Sequence, residues 1–363
     1  MQKEQQIYLN QRLATLEEHE RRKLYKRASL LRKVSQTKRK PQEDEYVRKG
    51  KSIDEFLLQL LREEDQAIQI GAVTGHGQVI WLGPKTCLVS TTKGSITCQL
   101  NRRATVAVGD LVNFADEADG HVIASVQPRM TVLSRPDVGN SRLERIIAAN
   151  VDTIVVVVSV IAPPLHPNII DRYMVAIQRG GAKMVLAVNK VDLLNDLNRD
   201  GELNKLLPYK TSVPIIQCST ESGTGILELR EVLNGQVCAF VGHSGVGKSS
   251  LINAFEPDLN LETGSVSEGY GRGTHTTTSS TMHMLKGGTK LIDTPGIRSF
   301  GLWDVGPEEL AWYFPEFDTF KNQCKFRDCA HIHEPNCGVK IAVERGELTQ
   351  TRYQSYLRIL TSL

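Results

Sequence analysis

The chain has 363 residues, 40% hydrophobic and 23% charged, with a formal net charge of +3; this is the profile of a globular protein of two or three domains, and it sets aside fibrous and wholly disordered classes. The longest strongly apolar stretch, 154–165, contains two prolines and is far shorter than the roughly 18 to 20 residues that span a bilayer. The polar start of the chain, with Glu4, Glu17, Glu18 and Glu20, has neither a secretory apolar core nor the acid-poor character of a transit peptide, so no membrane partner and a cytoplasmic location are expected.

Residues 1–66 are charged throughout and read as an extension; the stretch 21–40 carries ten Lys or Arg and no acidic residue. Such a run suits a polyanionic partner, although a solvated helical arm or an unstructured tail has the same composition. Over 67–135 the pattern changes to five short β-like runs, at 78–82, 87–91, 95–100, 111–114 and 122–126, with Lys93-Gly94 and Asp119-Gly120 at two turns. A small barrel of the OB type is expected here, either a structural β-domain or an oligonucleotide-binding one.

From about 136 to 300, apolar runs rich in β-branched residues (153–159, 183–188, 214–218, 237–241 and 290–292) alternate with helical spacing at 169–179 and 226–233. Alternation of this kind predicts a doubly wound, mostly parallel α/β sheet. A ligand is expected at the carboxyl ends of its strands. Residues 301–363 form a tail with two tryptophans, a cysteine cluster and an apparent terminal helix.

The strand 183–188 leads into Asn189-Lys190-Val191-Asp192. The Asp192 carboxylate can accept hydrogen bonds from the N1–H and exocyclic amine of guanine, whereas adenine offers an acceptor at N1 and no amine at C2. Ser219 and Thr220, after the strand 214–218, stand where a second loop can meet the guanine edge. The strand 237–241 leads into Gly242-His243-Ser244-Gly245-Val246-Gly247-Lys248-Ser249, followed by Ser250. This is a phosphate loop: small residues let backbone N–H groups face the phosphates, the lysine reaches the outer oxygens, and the Ser249 hydroxyl ligates Mg²⁺. After the strand 290–292, Asp293 can hold Mg²⁺ and the Gly296 amide can sense the γ-phosphate. Between these lies the glycine-bearing segment 271–277, with the character of a mobile switch.

Of seven cysteines, Cys87, Cys98, Cys218 and Cys238 sit among apolar residues and read as core, while Cys324, Cys329 and Cys337 cluster. With His331 they offer three thiolates and one imidazole within fourteen residues, a donor set for a closed tetrahedral zinc site. His333 competes for the fourth position. A metal is favoured over disulfides in a reducing compartment.

The base-reading element precedes the phosphate loop, the reverse of the common GTPase order. In this order, and in the preceding β-segment and the cysteine cluster, the chain over 67–340 resembles the circularly permuted, ribosome small-subunit-dependent GTPases of the RsgA or YjeQ family. The resemblance implies an OB-type barrel, a permuted GTPase domain and an α-rich zinc domain, with one zinc on Cys324, Cys329, His331 and Cys337. It also implies GTP hydrolysis stimulated by the small ribosomal subunit and its rRNA, by a monomer that assists late maturation of the particle. Thr276 or Thr277 would join Ser249 and Asp293 around Mg²⁺, and His275 would serve hydrolysis beside Lys248. Ile297 stands where many GTPases place a water-orienting glutamine, so turnover by the chain alone is expected to be slow. A nucleotide-gated binder without hydrolysis is opposed by Lys248, Ser249 and Asp293; an ATPase is opposed by Asn189 and Asp192.

Overall fold

The run Thr-Ile-Val-Val-Val-Val-Ser at 153–159 is buried at every position, as expected of a central parallel strand covered on both faces. The computed structural model describes Leu13, Leu57 and residues 73–100, 105–137, 144–259, 280–293, 302–303 and 305–363. The basic stretch 21–40, the switch segment 271–277 and Gly296 lie outside the described residues.

The described strands are β1 (Val73–Leu82), β2 (Thr86–Thr91), β3 (Gly94–Gln99), β4 (Leu111–Glu117), β5 (Gly120–Val126), β6 (Val132–Pro136), β7 (Glu144–Ala149), β8 (Thr153–Ser159), β9 (Lys183–Asn189), β10 (Ile215–Gln217), β11 (Val237–Val241), β12 (Ser280–Met284) and β13 (Lys290–Asp293). The helices are α1 (Pro167–Gly180), α2 (Arg199–Asn204), α3 (Ile226–Leu233), α4 (Lys248–Phe255), α5 (Asp318–Lys321), α6 (Gly338–Glu344) and α7 (Gln350–Thr361).

The chain divides into two compact units. The smaller includes residues 73–75 and 113–125. There Asn113 Nδ2 donates to Ser125 Oγ at 2.9 Å, and the Phe114 and His121 rings meet edge to face at 5.6 Å. A Cβ on Gly75 would lie 2.4 Å from the Phe114 ring, so the start of β1 passes directly over that aromatic.

In the larger unit nine strands run in the order β10-β9-β8-β11-β13-β12-β1-β2-β3. The segment read as a separate barrel therefore shares its sheet with the α/β half, joined where Trp81 of β1 faces Thr281 of β12. β10, β9, β8, β11 and β13 are mutually parallel; β12 is antiparallel to β13. β6 and β7 form a two-stranded sheet of their own.

Alternate residues of β8 and β9 feed opposite cores, as period-two geometry requires. Val156, Val158, Leu186 and Val188 pack with Ile170, Tyr173 and Ile177 of α1. Val155, Val157, Val185 and Ala187 pack with Leu229 and Leu233 of α3 and with Leu251 and Phe255 of α4. A third core, built from Phe314, Phe317, Val339, Tyr356 and Ile359, takes in Val175 of α1. The tail thus docks on the same helix that covers one face of the sheet. α1 stops at Gly181, whose φ of 79° is left-handed and whose N–H bonds back to the Gln178 carbonyl.

Candidate functional site

β8, β9, β11 and β13 deliver their carboxyl ends to one edge of the sheet, the position that doubly wound folds use for ligands. β11 is followed by Gly242, Gly245 and Gly247, with φ of 149°, 81° and 90°. Glycine is required twice over at two of them. A Cβ on Gly242 would lie 2.3 Å from the Val157 carbonyl oxygen, and one on Gly247 would lie 2.4 Å from Asn189 Nδ2. His243, Ser244 and Gly245 are exposed, Val246 is buried, and Ser249 and Ser250 are half-buried in the first turn of α4. Lys248 Nζ donates to the carbonyls of Gly242 and His243 at 2.7 Å each, which keeps the ammonium over the concave side of the loop where an anion would meet it.

The Asn189-Lys190 element is tied to this loop. Asn189 is 1% exposed, and its Nδ2 donates to the Val246 carbonyl at 2.9 Å. Lys190 turns the chain with a φ of 64°, and its Nζ reaches the Gly245 carbonyl at 2.7 Å and the Ala162 carbonyl at 2.5 Å. One lysine thereby ties together the loops that follow β8, β9 and β11.

Asp192 is exposed, and its Oδ1 accepts a hydrogen bond of 2.5 Å from Ser219 Oγ. Ser219 is fully buried, and its oxygen accepts the N–H groups of Glu221 and Ser222 at 3.2 Å. With its oxygen occupied in this way, the hydroxyl proton points to Asp192. Ser219, expected at a guanine edge, has its hydroxyl on the Asp192 carboxylate. Thr220, beside it, is half-buried.

Asp293 ends β13, one step beyond the Ala239–Ile292 pair that joins β13 to β11. The Ser249 hydroxyl and the Asp293 carboxylate are hard oxygen donors of the kind Mg²⁺ takes. His275, Thr276, Thr277 and Gly296 lie outside the described residues.

At the far end of the chain, the ligand atoms of Cys324, Cys329, His331 and Cys337 lie within 4.8 Å of one another. Cys324 Sγ is 3.9 Å from Cys337 Sγ and 3.6 Å from His331 Nδ1, which is 3.3 Å from Cys337 Sγ. A tetrahedral zinc with Zn–S of about 2.3 Å and Zn–N of about 2.0 Å sets edges of roughly 3.8 and 3.5 Å, so these four donors fit that ion. His331 is buried with a φ of 58° and has its Nδ1 against two of the thiols, while His333 is exposed.

The shell around the cluster is also built. Tyr353 and Tyr356 of α7 donate to the carbonyls of His331 and Ala330 at 2.7 and 2.8 Å, and the Gly338 N–H points at Cys324 Sγ at 3.3 Å. Glu334 accepts the N–H groups of Ala330, Ile332 and His333. The remaining cysteines are buried. Burial pushes the thiols of Cys87, Cys218 and Cys238 up to about 12, which leaves them inert as nucleophiles.

Comparison with known proteins gives one consistent picture. Residues 126–303 match the model of the RsgA GTPase family. The small ribosomal subunit biogenesis GTPase RsgA of Flavobacterium psychrophilum is 40% identical over 260 residues, covering 70% of this chain and 80% of that protein. RsgA 1 of Vibrio vulnificus is 44% identical over 243 residues, covering 67% and 68%. Among solved structures, YjeQ from Thermotoga maritima superposes with a TM-score of 0.65 at 33% identity, covering 79% of this chain and 98% of that one. YloQ, described as a circularly permuted GTPase, gives 0.60 at 26% identity, covering 79% and 94%.

Proposed function

The chain belongs to the RsgA GTPase family and is a GTP hydrolase, and we propose that it acts on the small ribosomal subunit, assisting late maturation of the particle and responding to it with faster GTP turnover. The particle as partner is supported by the relatives' names, small ribosomal subunit biogenesis GTPase, at 40% and 44% identity, and the nucleotide reading by the junction at Lys190 and Asn189, whose side chains end on the Gly245 and Val246 carbonyls. Strands read as base-recognising and phosphate-holding meet there, in the permuted chain order.

In this reading Asp192, held by Ser219, pairs with the N1–H and amine of guanine, and Thr220 flanks the base. The backbone of Gly242, His243, Ser244, Gly245, Val246 and Gly247 cradles the phosphates. Lys248 moves from the loop carbonyls to the outer phosphate oxygens, and Ser249 and Ser250 begin the helix whose amino end faces them. Mg²⁺ would be held by Ser249 and Asp293, with Thr276 or Thr277, and would neutralise charge developing on the phosphates. Gly296 senses the γ-phosphate, and His275 acts in hydrolysis once the particle positions it.

A structural zinc ion would be held by Cys324, Cys329, His331 and Cys337, supplying cross-linking that a tail this short lacks. The segment 67–135 is read as an OB-type barrel. In support, β1 bonds to β2 on one side, while the Val79 N–H and Gln78 Nε2 reach the carbonyls of Asp110 and Gly109 on the other. With 1–66 as a basic extension, 136–300 as the GTPase domain and 301–363 as the zinc domain, rRNA contacts fall to the barrel, the tail and the basic arm. The protein works as a cytoplasmic monomer; among the described residues no helix is long and apolar enough to cross a membrane.

The test is GTP turnover by the purified protein with and without purified small subunits, with ATP and large subunits as controls. Stimulation confined to GTP and small subunits is expected. Equal GTP turnover with and without either particle would refute the small subunit as partner and leave a GTPase.

A further inference from the structure

Three buried side-chain polar atoms among the described residues have no hydrogen-bond partner: Ser159 Oγ, Asp171 Oδ2 and Asn189 Oδ1. Two of the three are neighbours. Ser159 ends β8 and Asn189 ends β9, and the two residues are direct partners in the parallel register. They lie on the face of the sheet that Val155, Val157, Val185 and Ala187 bury against α3 and α4. Ser159 is 2% exposed and Asn189 is 1% exposed. Adjacent strands lie about 4.8 Å apart, so a hydroxyl and a carboxamide at one register position are within reach of a hydrogen bond.

The chemistry of the two atoms is complementary. Asn189 Oδ1 accepts only, and Ser159 Oγ can donate. Asn189 Nδ2 carries two hydrogens, one of them committed to the Val246 carbonyl of the phosphate loop, leaving one for a ligand. A carboxamide is nearly symmetric in shape, and only hydrogen bonds determine which end faces which neighbour. Leaving a buried donor and a buried acceptor unpaired costs free energy on both sides. That cost ends when the two atoms bond, and bonding fixes the amide with its nitrogen toward the nucleotide.

We infer that Ser159 is a positioning residue for guanine nucleotide: its hydroxyl donates to Asn189 Oδ1 when nucleotide is bound, locking the carboxamide with its free N–H toward the base. The inference rests on the proposed base-reading role of the Asn189-Lys190-Val191-Asp192 element, extended to a contact from the second N–H of Asn189. It differs from a packing role in a way that can be measured. Ser159 Oγ has no hydrogen-bond partner, so its removal should leave stability without nucleotide unchanged or raise it. A packing role would lower that stability.

The experiment measures GDP affinity by fluorescent-nucleotide titration, and urea unfolding without nucleotide, for the full chain and for Ser159→Ala, Ser159→Thr, Asn189→Ala and the Ser159→Ala/Asn189→Ala double variant. Ser159→Ala should bind GDP about tenfold more weakly, the order of one net hydrogen bond, with no loss of nucleotide-free stability. Ser159→Thr, which keeps the hydroxyl, should bind within about twofold of the native chain on the same scale. In the Asn189→Ala background, removing the hydroxyl should change nothing further. Native-like affinity of Ser159→Ala beside a weakened Asn189→Ala would overturn the inference and leave the base site standing. An equal loss in both backgrounds, or a fall in nucleotide-free stability, would overturn it as well. Native-like affinity of Asn189→Ala would overturn the base-site reading itself and this inference with it.

Discussion

Arg352 of α7 and Asp171 of α1 form a buried ion pair between residues 181 positions apart in sequence, with side chains 3% and 0% exposed. The guanidinium also donates to Glu316 Oε1 at 2.5 Å and stacks over the Phe314 ring at 4.5 Å and the Tyr209 ring at 5.3 Å. Two further polar contacts flank it, Ser355 to Asn168 and Arg172 to Ser362. The helix that follows the loop after β8 is therefore bolted to the tail that carries the metal cluster.

Arg352→Ala should destabilise the protein by about 3 to 5 kcal/mol, because it strands the Asp171 carboxylate in a dry site. Arg352→Met combined with Asp171→Leu should recover most of that loss, since an apolar pair needs no compensation. Urea unfolding of the three proteins checks both statements. Equal stability of Arg352→Ala and the native chain would mean that the pair is solvated in solution.

Base recognition is expected to follow Asp192 and, through it, Ser219. Asp192→Asn replaces an acceptor with a donor against the N1–H and amine of guanine and should weaken GTP binding by about 3 kcal/mol, more than a hundredfold. Xanthine nucleotides carry a carbonyl where guanine has the amine, so they should lose less or gain. Ser219→Ala leaves the carboxylate in place but unaimed and should cost roughly 1 kcal/mol. Competition titrations with GTP, XTP and ATP separate the three cases.

Gly247→Ala places a methyl group where Asn189 Nδ2 now sits, at a φ of 90° that side chains resist. Backbone strain of about 1 to 2 kcal/mol adds to displacement of the carboxamide, so nucleotide affinity should fall by more than tenfold. Isothermal titration with GDP reads this directly. Retained affinity would mean that the loop and Asn189 move independently.

Chelation should open the tail and spare the nucleotide site. In the untreated protein a thiol reagent should find no fast-reacting cysteine. After metal removal Cys324, Cys329 and Cys337 should react, while Cys87, Cys98, Cys218 and Cys238 stay protected until the sheet itself unfolds, since all four are buried. GDP affinity should change by less than about twofold. Loss of nucleotide binding together with the metal would contradict independent tail folding.

How legible these features are in the sequence depends on how local their causes are. The span 153–159 can be read to the residue because it is a run of β-branched residues closed by Ser159, 237–241 because an unbroken apolar run ends at Gly242, and 226–233 because its apolar positions recur at helical spacing. β6 ends in Pro136, and β12 reads Ser-Thr-Met-His-Met; neither carries a periodic apolar signal, and both form strands because a partner is present. The phosphate loop and the four metal donors are legible because their spacing is the chemistry. Spacing alone leaves His331 and His333 open, and only burial of one ring against Phe317 and Tyr356 separates them. Ser159 and Arg352 are silent in the sequence because each acts through a partner brought in by register or by docking, and the hydroxyl of Ser219, whose place is legible, meets Asp192 for the same reason.

The strand order β10-β9-β8-β11-β13 also fixes a timetable for the newborn chain. β8, β9 and β10 leave the ribosome first and have one another as partners, but the phosphate loop follows them and Asp293 comes later still. At synthesis rates of roughly 5 to 20 residues per second, the stretch from Asn189 to Asp293 takes on the order of ten seconds. For roughly the first half of that interval the base-reading strands exist without the loop that Asn189 and Lys190 grip, and for the rest they have the loop without Asp293. Guanine nucleotide can steady this protein only at the end of its own synthesis, so early folding depends on the apolar strands alone.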